Sequence, residues 1–340
     1  MPQVINIEQT TIHRIDLQQP DVGENIHVDT NNDFHSYVEK LVEEIFSSSR
    51  SKAYKFQMNL TTEVANQIHD ISDDNWLDIA QVIAERLFKI EKLTQAKIEH
   101  LVDLRVGSFV QILATVNGNK TLILTKVDHN SYLEEEEFKE QSGLPLNQKV
   151  QKTALIIFEA DEISEVKLTD SNNPISKYWW SDFLELEELN SSEKNTSSAF
   201  NSINKFLNQK VRKNSPSDYW ALRNAVISYF RTHPAIAYDE MISSVFDGYQ
   251  PDNHDLDIES IKEKISELPV KNNFDTQFDV TIEAIKAKIV DQIKLAQNLE
   301  LKFTGEVDNL KEIISTGIGD NGRKFIRIYS DTGYENFKSD

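Results

Sequence analysis

The sequence predicts an α+β fold: an antiparallel sheet with packed helices in the N-terminal half, then a helical segment and a small antiparallel sheet in the C-terminal half. Three observations carry this. An Asn117-Gly118 pair stands between two runs of β-branched and large apolar residues. Several amphipathic helical stripes occur in both halves. The strand-like runs are hairpin-linked and do not alternate regularly with helices, as a doubly wound sheet would require.

Residues 3–17 read as a first strand, with Val4, Ile5, Ile7, Ile12, Ile15 and Leu17. Asp33 is placed to cap the next helix. Phe34, Tyr37, Val38, Leu41, Val42, Ile45 and Phe46 then fall at i, i+3, i+4, i+7, i+8, i+11 and i+12, one stripe of an α-helix. A second helix runs from Asp74 to Leu93, with Ile79, Ile83, Leu87 and Ile90 inward. Val106–Val116 and Thr121–Val127 follow as strands. The Asn-Gly between them suits a type I′ turn, whose two central residues need positive φ. Thr153–Phe158 is a buried strand, and the alternating Glu162–Thr169 is expected to pair with it. A helix begins at Tyr178-Trp179-Trp180.

The polar run NSSEKNTSS at 190–198 marks the expected domain boundary, giving an α+β domain at 1–195 and a helical region with a small sheet at 196–340. Phe200, Ile203, Phe206 and Leu207 form the next helical stripe. Another helix spans Tyr219 to Phe230, with Pro216 at its entry and Pro234 beyond its end. Met241–Phe246, Ile258–Leu268 and Ile282–Ile293 continue the helical pattern. Leu299–Phe303, Leu310–Ile314 and Lys324–Tyr329 read as strands.

Composition narrows the function. There is no cysteine, so disulfides, thiolate metal sites and cysteine nucleophiles are excluded. No run has the roughly 18 apolar residues of a membrane span, and the first residues lack the basic-then-apolar pattern of a signal peptide; a cytoplasmic protein is expected. The net charge of −20 opposes nucleic acid at long range. That charge is uneven. Residues 130–190 carry five Lys against fourteen Asp and Glu. Residues 205–231 carry Lys205, Lys210, Arg212, Lys213, Arg223 and Arg231 against Asp218 alone, with Tyr219, Trp220 and Tyr229 interleaved. Such a stretch fits a phosphate backbone through counterion release, or equally a solvated helix whose aromatics are core. Arg323, Lys324 and Arg327 make a second basic strand, with Arg327 on the face of Phe325 and Tyr329.

Other motifs are weaker. Gly317, Gly319 and Gly322 match a dinucleotide fingerprint in spacing, but a strand follows where the phosphate-binding helix should begin, so a hairpin loop is expected. Asp161, Glu165 and Lys167 have the residue types of a metal-dependent nuclease, a pattern any acidic strand edge also produces. Asp252, His254, Asp255 and Asp257 fit no EF-hand and read as a solvated loop. Glu134–Glu137 reads as a solvated helix face. No catalytic residue, metal site or cofactor is expected.

Three stretches resemble one family in order and spacing: GLPLNQKVQKTALIIF (Gly143 to Phe158), YWWSDFLELEE (Tyr178 to Glu188), and the run from Phe274 through IKAKIVDQIKLAQNLELKFTGEVDNL to GRKFIRIYSDTGYENF, ending at Phe337. Together they are similar to the bacterial nucleoid-associated (NdpA-type) family. The resemblance implies association with the nucleoid and double-stranded DNA, a cytoplasmic location and no assigned reaction. It carries over no individual site residue. The expected function is therefore a DNA-associated binding protein without catalytic activity, acting as a homo-oligomer, with a topoisomerase or another nucleoid protein as a further partner. The alternatives are an adaptor that binds a basic nucleoid partner through its acidic face, and a metal-dependent nuclease.

Overall fold

The computed structural model describes residues 4–25, 32–57, 62–69, 71–98, 104–135, 138–146 and 152–338. The chain divides into two compact units. One comprises Met1–Ser191 with Asp275–Phe278; the other comprises Ser192–Phe274 with Asp279–Asp340. The α+β class is as expected.

The first unit is built on a seven-stranded antiparallel sheet. In chain order its strands are β1 (Ile5–Ile15), β2 (Lys52–Phe56), β3 (Gly107–Val116), β4 (Asn119–Asp128), then, after a small separate hairpin of β5 (Asn130–Leu133) and β6 (Glu140–Gly143), β7 (Lys152–Glu159), β8 (Glu162–Asp170) and β9 (Leu186–Glu188). The spatial order is β1-β3-β4-β7-β8-β2-β9. Asn117 (φ 51°) and Gly118 (φ 89°) make the β3–β4 turn in the left-handed region the dipeptide predicts. β7 and β8 pair as expected.

Helix α1 (Asn32–Ser47) covers one face of the sheet, and α2 (Glu63–His69), α3 (Trp76–Ile98) and a π-helical turn at Tyr178–Phe183 cover the other. Alternation sorts the side chains: Val110, Ile112 and Ala114 of β3 meet Val38, Leu41 and Val42, while Phe109 and Leu113 face the α3 side. Asp33 lies in the first turn of α1 rather than at its cap.

Two ion pairs are buried on the α3 side. Lys126 Nζ donates to both oxygens of Glu91 at 2.8 Å, and the Tyr178 hydroxyl donates to Glu91 at 3.1 Å. Lys152 Nζ donates to both oxygens of Asp170 at 2.9 Å and to Ser176 Oγ at 2.9 Å. Burial, followed by the Glu91 charge, pushes the Tyr178 phenol far above its ordinary range. The two lysines stand opposite each other across β4 and β7, so each cation needs its own carboxylate.

The second unit holds α4 (Ser192–Lys210), α5 (Pro216–Thr232), α6 (Tyr238–Phe246), α7 (Ile258–Ser266) and α8 (Leu268–Asn272), with short strands β10 (Ala235–Ala237) and β11 (Gln277–Asp279), the latter begun by residues of the first unit. After α9 (Lys286–Ile289) come hairpins β12 (Asp291–Ala296)–β13 (Leu299–Phe303) and, beyond α10 (Leu310–Ile313), β14 (Ile314–Ile318)–β15 (Lys324–Ile328), then α11 (Asp331–Phe337).

Three expectations need correction. The helix read at Ile282–Ile293 is a 3₁₀ turn, the single turn α9, and then β12: the alternating, Ile-containing Asp291–Ala296 pairs with β13 across Gln297-Asn298. Leu310–Ile313 is a helical turn and the strand starts at Ile314. The division between the two units falls within the polar run 190–198, at Ser191/Ser192, and the rest of the run opens α4, with Asn195 and Thr196 buried and Thr196 Oγ1 donating to Ser192 O. Glu134 and Glu135 sit in the β5–β6 loop, not on a helix, where Glu134 N donates to Lys139 O; Glu136 and Glu137 lie outside the described residues, as do Asn147–Gln151 of the Gly143–Phe158 stretch.

One buried carboxylate organises the second unit. Asp218, fully buried near the start of α5, accepts from Ser215 Oγ (2.5 Å), the Tyr249 hydroxyl (2.7 Å), Asp252 N (2.8 Å), Asn253 N (3.1 Å) and Lys311 Nζ (3.2 Å). Burial opposes its ionisation, but the bonds from Ser215, Tyr249 and the two backbone amides outweigh that and hold the carboxyl well below the usual carboxylate range. Lys311 also reaches Asp252 at 2.9 Å.

Two stability predictions follow from these charges. Glu91→Ala strands the Lys126 ammonium and is expected to cost about 3–5 kcal/mol, most of it recovered in the Glu91→Met/Lys126→Met double variant; urea unfolding measures both. Asp218→Ala is expected to cost a similar ~3–5 kcal/mol at pH 7. Because the folded pKa is depressed, the wild-type advantage is complete above the unfolded value of about 3.9 and declines as pH falls below it. The gap between the urea midpoints of the two proteins should therefore stay constant above about pH 5 and narrow progressively as pH falls from about 4 toward 2; a gap that stays constant down to about pH 2 would contradict an ionised Asp218.

Candidate nucleic-acid interface

The amphipathic pattern of α4 sets which cations face water. Ala199, Phe200, Ile203, Leu207 and the following Val211 are buried, which leaves Lys205 and Lys210 on exposed positions. The chain then turns tightly: Val211 N and Arg212 N both donate to Leu207 O, and Asn214 N and Ser215 N donate to Val211 O. Arg212 and Lys213 project from this turn and are exposed. Ser215, at the far end of the turn, is held by Asp218, so the buried carboxylate fixes the backbone that displays them.

Arg212 Nη1 donates to Asn208 Oδ1 at 3.1 Å, and its guanidinium lies over the rings of Tyr219 (5.1 Å) and Trp220 (5.7 Å). Its charge is held in place without being neutralised. Lys205 lies on the last turns of α4, and Arg212 two residues beyond the helix end, in the turn. Lys210 stands roughly 140° round the helix from Lys205, so the strip bends about the helix end. Among the described residues, Lys205, Lys210 and Lys213 have no carboxylate within ion-pair distance.

The other two expected cations are placed differently. Arg223 is buried: its Nε donates to Asn204 Oδ1 (3.0 Å), and its Nη2 to Lys288 O (2.9 Å) and Ile289 O (3.3 Å), with Asp291 at 3.8 Å. It ties α4 and α5 to α9. Arg231 is exposed but ion-paired to Glu306. The aromatics are packing groups: Tyr219 and Tyr229 are buried, and Trp220 stacks on Phe303 at 5.0 Å.

Lys288 joins the strip although nothing local in the sequence signals it. Its Nζ donates to Ser197 Oγ at 3.0 Å, two turns before Lys205 on the Ser197-Asn201-Lys205 line of α4. Only the return of the chain through α9 brings it there.

Charge is also divided between the units. The first carries 17 Lys and Arg against 34 Asp and Glu; the second carries 19 against 22. The strip thus belongs to a nearly neutral unit.

The remaining motifs are not assembled. Asp161 sits in the β7–β8 turn (φ 64°), while Glu165 pairs with Lys167 at 2.9 Å along β8. Among the described residues no group of three or more His, Asp or Glu side chains is placed to hold a metal ion. Asp252 serves Lys311 and Ser217, and Asp257 caps α7 by accepting from Ser260 N at 3.0 Å. Gly319–Arg323 closes the β14–β15 hairpin, with Gly319 N donating to Arg323 O and Gly322 at φ 74°. No described helix is long and apolar enough to cross a membrane.

No curated protein sequence matches the chain. The sequence profile of the nucleoid-associated protein YejK family matches residues 11–320, nearly the whole chain and both units. The chain therefore belongs to the nucleoid-associated protein YejK family.

Proposed function

We propose that this nucleoid-associated protein acts by binding double-stranded DNA directly, without catalysing a reaction, in the cytoplasm and as a homo-oligomer. The observation that carries the reading is the strip of Lys205, Lys210, Arg212, Lys213 and Lys288: exposed, without a carboxylate partner among the described residues, and borne by the unit whose charge nearly cancels. Arg223 and Arg231 act in this reading as internal ties that hold the strip's scaffold. Contact of this kind is with phosphates and reads no base sequence.

Salt decides the matter. Log K should fall linearly with log salt, with a slope of about −0.9 per phosphate engaged. Charge reversal in Lys210→Glu/Arg212→Glu/Lys213→Glu should weaken binding alike on unrelated DNA sequences and make the slope shallower by about 3. Unchanged affinity in that variant would remove the strip from the interface.

A second reading is supported by the 17-to-34 imbalance of the first unit: an adaptor whose acidic surface holds a basic nucleoid protein, a topoisomerase among the possible partners. Pull-down before and after nuclease treatment separates the two. Capture that survives digestion supports the adaptor, and capture that disappears supports direct DNA binding.

A further inference from the structure

Among the described residues the β14–β15 hairpin has no strand beyond its own two, and its apolar side chains are left in water on both faces. Ile326 and Ile328 are 45% and 44% exposed, Tyr329 57% and Ile318 68%. With Phe325 and Leu295, which line the same 620 Å³ groove, they make an apolar patch over both faces of the hairpin. A two-stranded ribbon with its apolar residues in water is marginal by itself, and a patch of this kind marks a contact surface.

The register shows which backbone groups are free. Gly319 N bonds Arg323 O and Tyr329 N bonds Ile313 O. Counting inward in twos from either end, Phe325 and Arg327 turn their N–H and C=O toward β14, opposite Gly317 and Ser315. Lys324, Ile326 and Ile328 therefore turn theirs outward, to the open edge of β15. Phe325 and Arg327 are locked on the inner pairing. The Phe325 ring lies so close over Gly317 that a Cβ there would fall 2.5 Å from it, and the Arg327 guanidinium sits 5.3 Å from that ring and donates to the Tyr329 hydroxyl. The edge has no proline and no bulge, and of its outward residues Lys324 alone is charged.

We propose that β15 pairs antiparallel with β15 of a second copy of this chain, about a two-fold axis through Ile326, giving a four-stranded β14-β15-β15-β14 sheet. The axis follows from the outward groups: Ile326 donates to and accepts from the Ile326 of the partner subunit, and each Lys324 faces an Ile328, a self-complementary contact. Register favours a second copy over other occupants: with Ile326 on the axis, Lys324 faces Ile328, Arg327 faces Phe325 and Arg323 faces Tyr329 of the partner subunit, so no cation of one strand stands directly opposite a cation of the other. The proposal rests on the oligomeric part of the function proposed above and not on its DNA part.

The absence of native cysteine gives a direct test on the full chain. An antiparallel hydrogen-bonded pair holds its Cα atoms about 5.5 Å apart, within disulfide range. Ile326→Cys should therefore form a cross-linked dimer under mild oxidation. Thr316→Cys, on the inner strand and about three strand spacings from its symmetry mate, should cross-link at least tenfold more slowly. Independently, Ile326→Pro removes only an outward N–H and should raise the dimer Kd measured by sedimentation at least tenfold, with the far-ultraviolet circular dichroism unchanged. A dimeric parent whose two cysteine variants cross-link equally, or not at all, would overturn this interface while leaving oligomerisation intact. A monomeric parent would overturn both. A monomeric parent that loses DNA retention on charge reversal of Arg323, Lys324 and Arg327 would make the hairpin a DNA-contacting ribbon instead.

Discussion

The turn that carries the cationic strip is held by a carboxylate that cannot leave. Burying Asp218 costs several kcal/mol before compensation, and the structure offsets that with five donors from four places in the chain: Ser215, Tyr249, the Asp252–Asn253 backbone and Lys311. None can move independently without stranding the charge. The turn between α4 and α5 inherits this rigidity at Ser215, and Arg212 receives a second restraint from the faces of Tyr219 and Trp220. A cation held in place loses less rotamer entropy on meeting a phosphate than one on a free side chain, by about 0.5–1.5 kcal/mol. Stability and the proposed contact thus rest on the same group.

The second constraint is the distribution of charge. A chain of −20 is a poor polyanion ligand if that charge is spread evenly. Here the excess lies almost wholly in the unit built on the seven-stranded sheet, whose carboxylates lie on its helices as well as on strands and loops. The second unit is close to neutral, and its carboxylates are engaged at defined points: Asp218 and Asp252 by Lys311, Glu306 by Arg231, Asp247 by Lys262. Beyond Glu193 in its first turn, the charged side chains of α4 and the turn are cations. Segregation of this kind also lets the acidic unit keep the protein soluble and resist indiscriminate binding to nucleic acid.

Much of the fold was legible where one local rule decided the outcome. Asn117-Gly118 can hardly be anything but a tight turn, and the α1 stripe has no competing period. Reading failed where two periods coexist. Ile282, Ile285, Ile289 and Ile293 are spaced for a helix, yet Asp291–Ala296 also alternates, and pairing with Leu299–Phe303 selects the strand. The site was half legible for a similar reason. Composition counts Arg223 with Lys205, but Arg223 lies on the Tyr219-Leu222-Val226 stripe that faces the core, a signal present in the sequence. Lys288 carried no such signal, because its place beside Ser197 depends on a chain return 91 residues later.

In the proposed function, the open edge of β15 and the α4 strip would answer the same physical difficulty. One strip of four or five cations, each releasing its share of counterions, would lose roughly two orders of magnitude in affinity between 50 and 200 mM salt. Its binding would then be weak under cellular conditions. Two strips joined through a two-fold sheet double the number of phosphates engaged and make the second contact intramolecular, which raises overall affinity without any new residue. The steep salt dependence remains, and becomes steeper. An acidic chain with a small basic surface can in this way hold DNA firmly at moderate salt and release it over a narrow range, a behaviour that neither the strip nor the edge would produce separately.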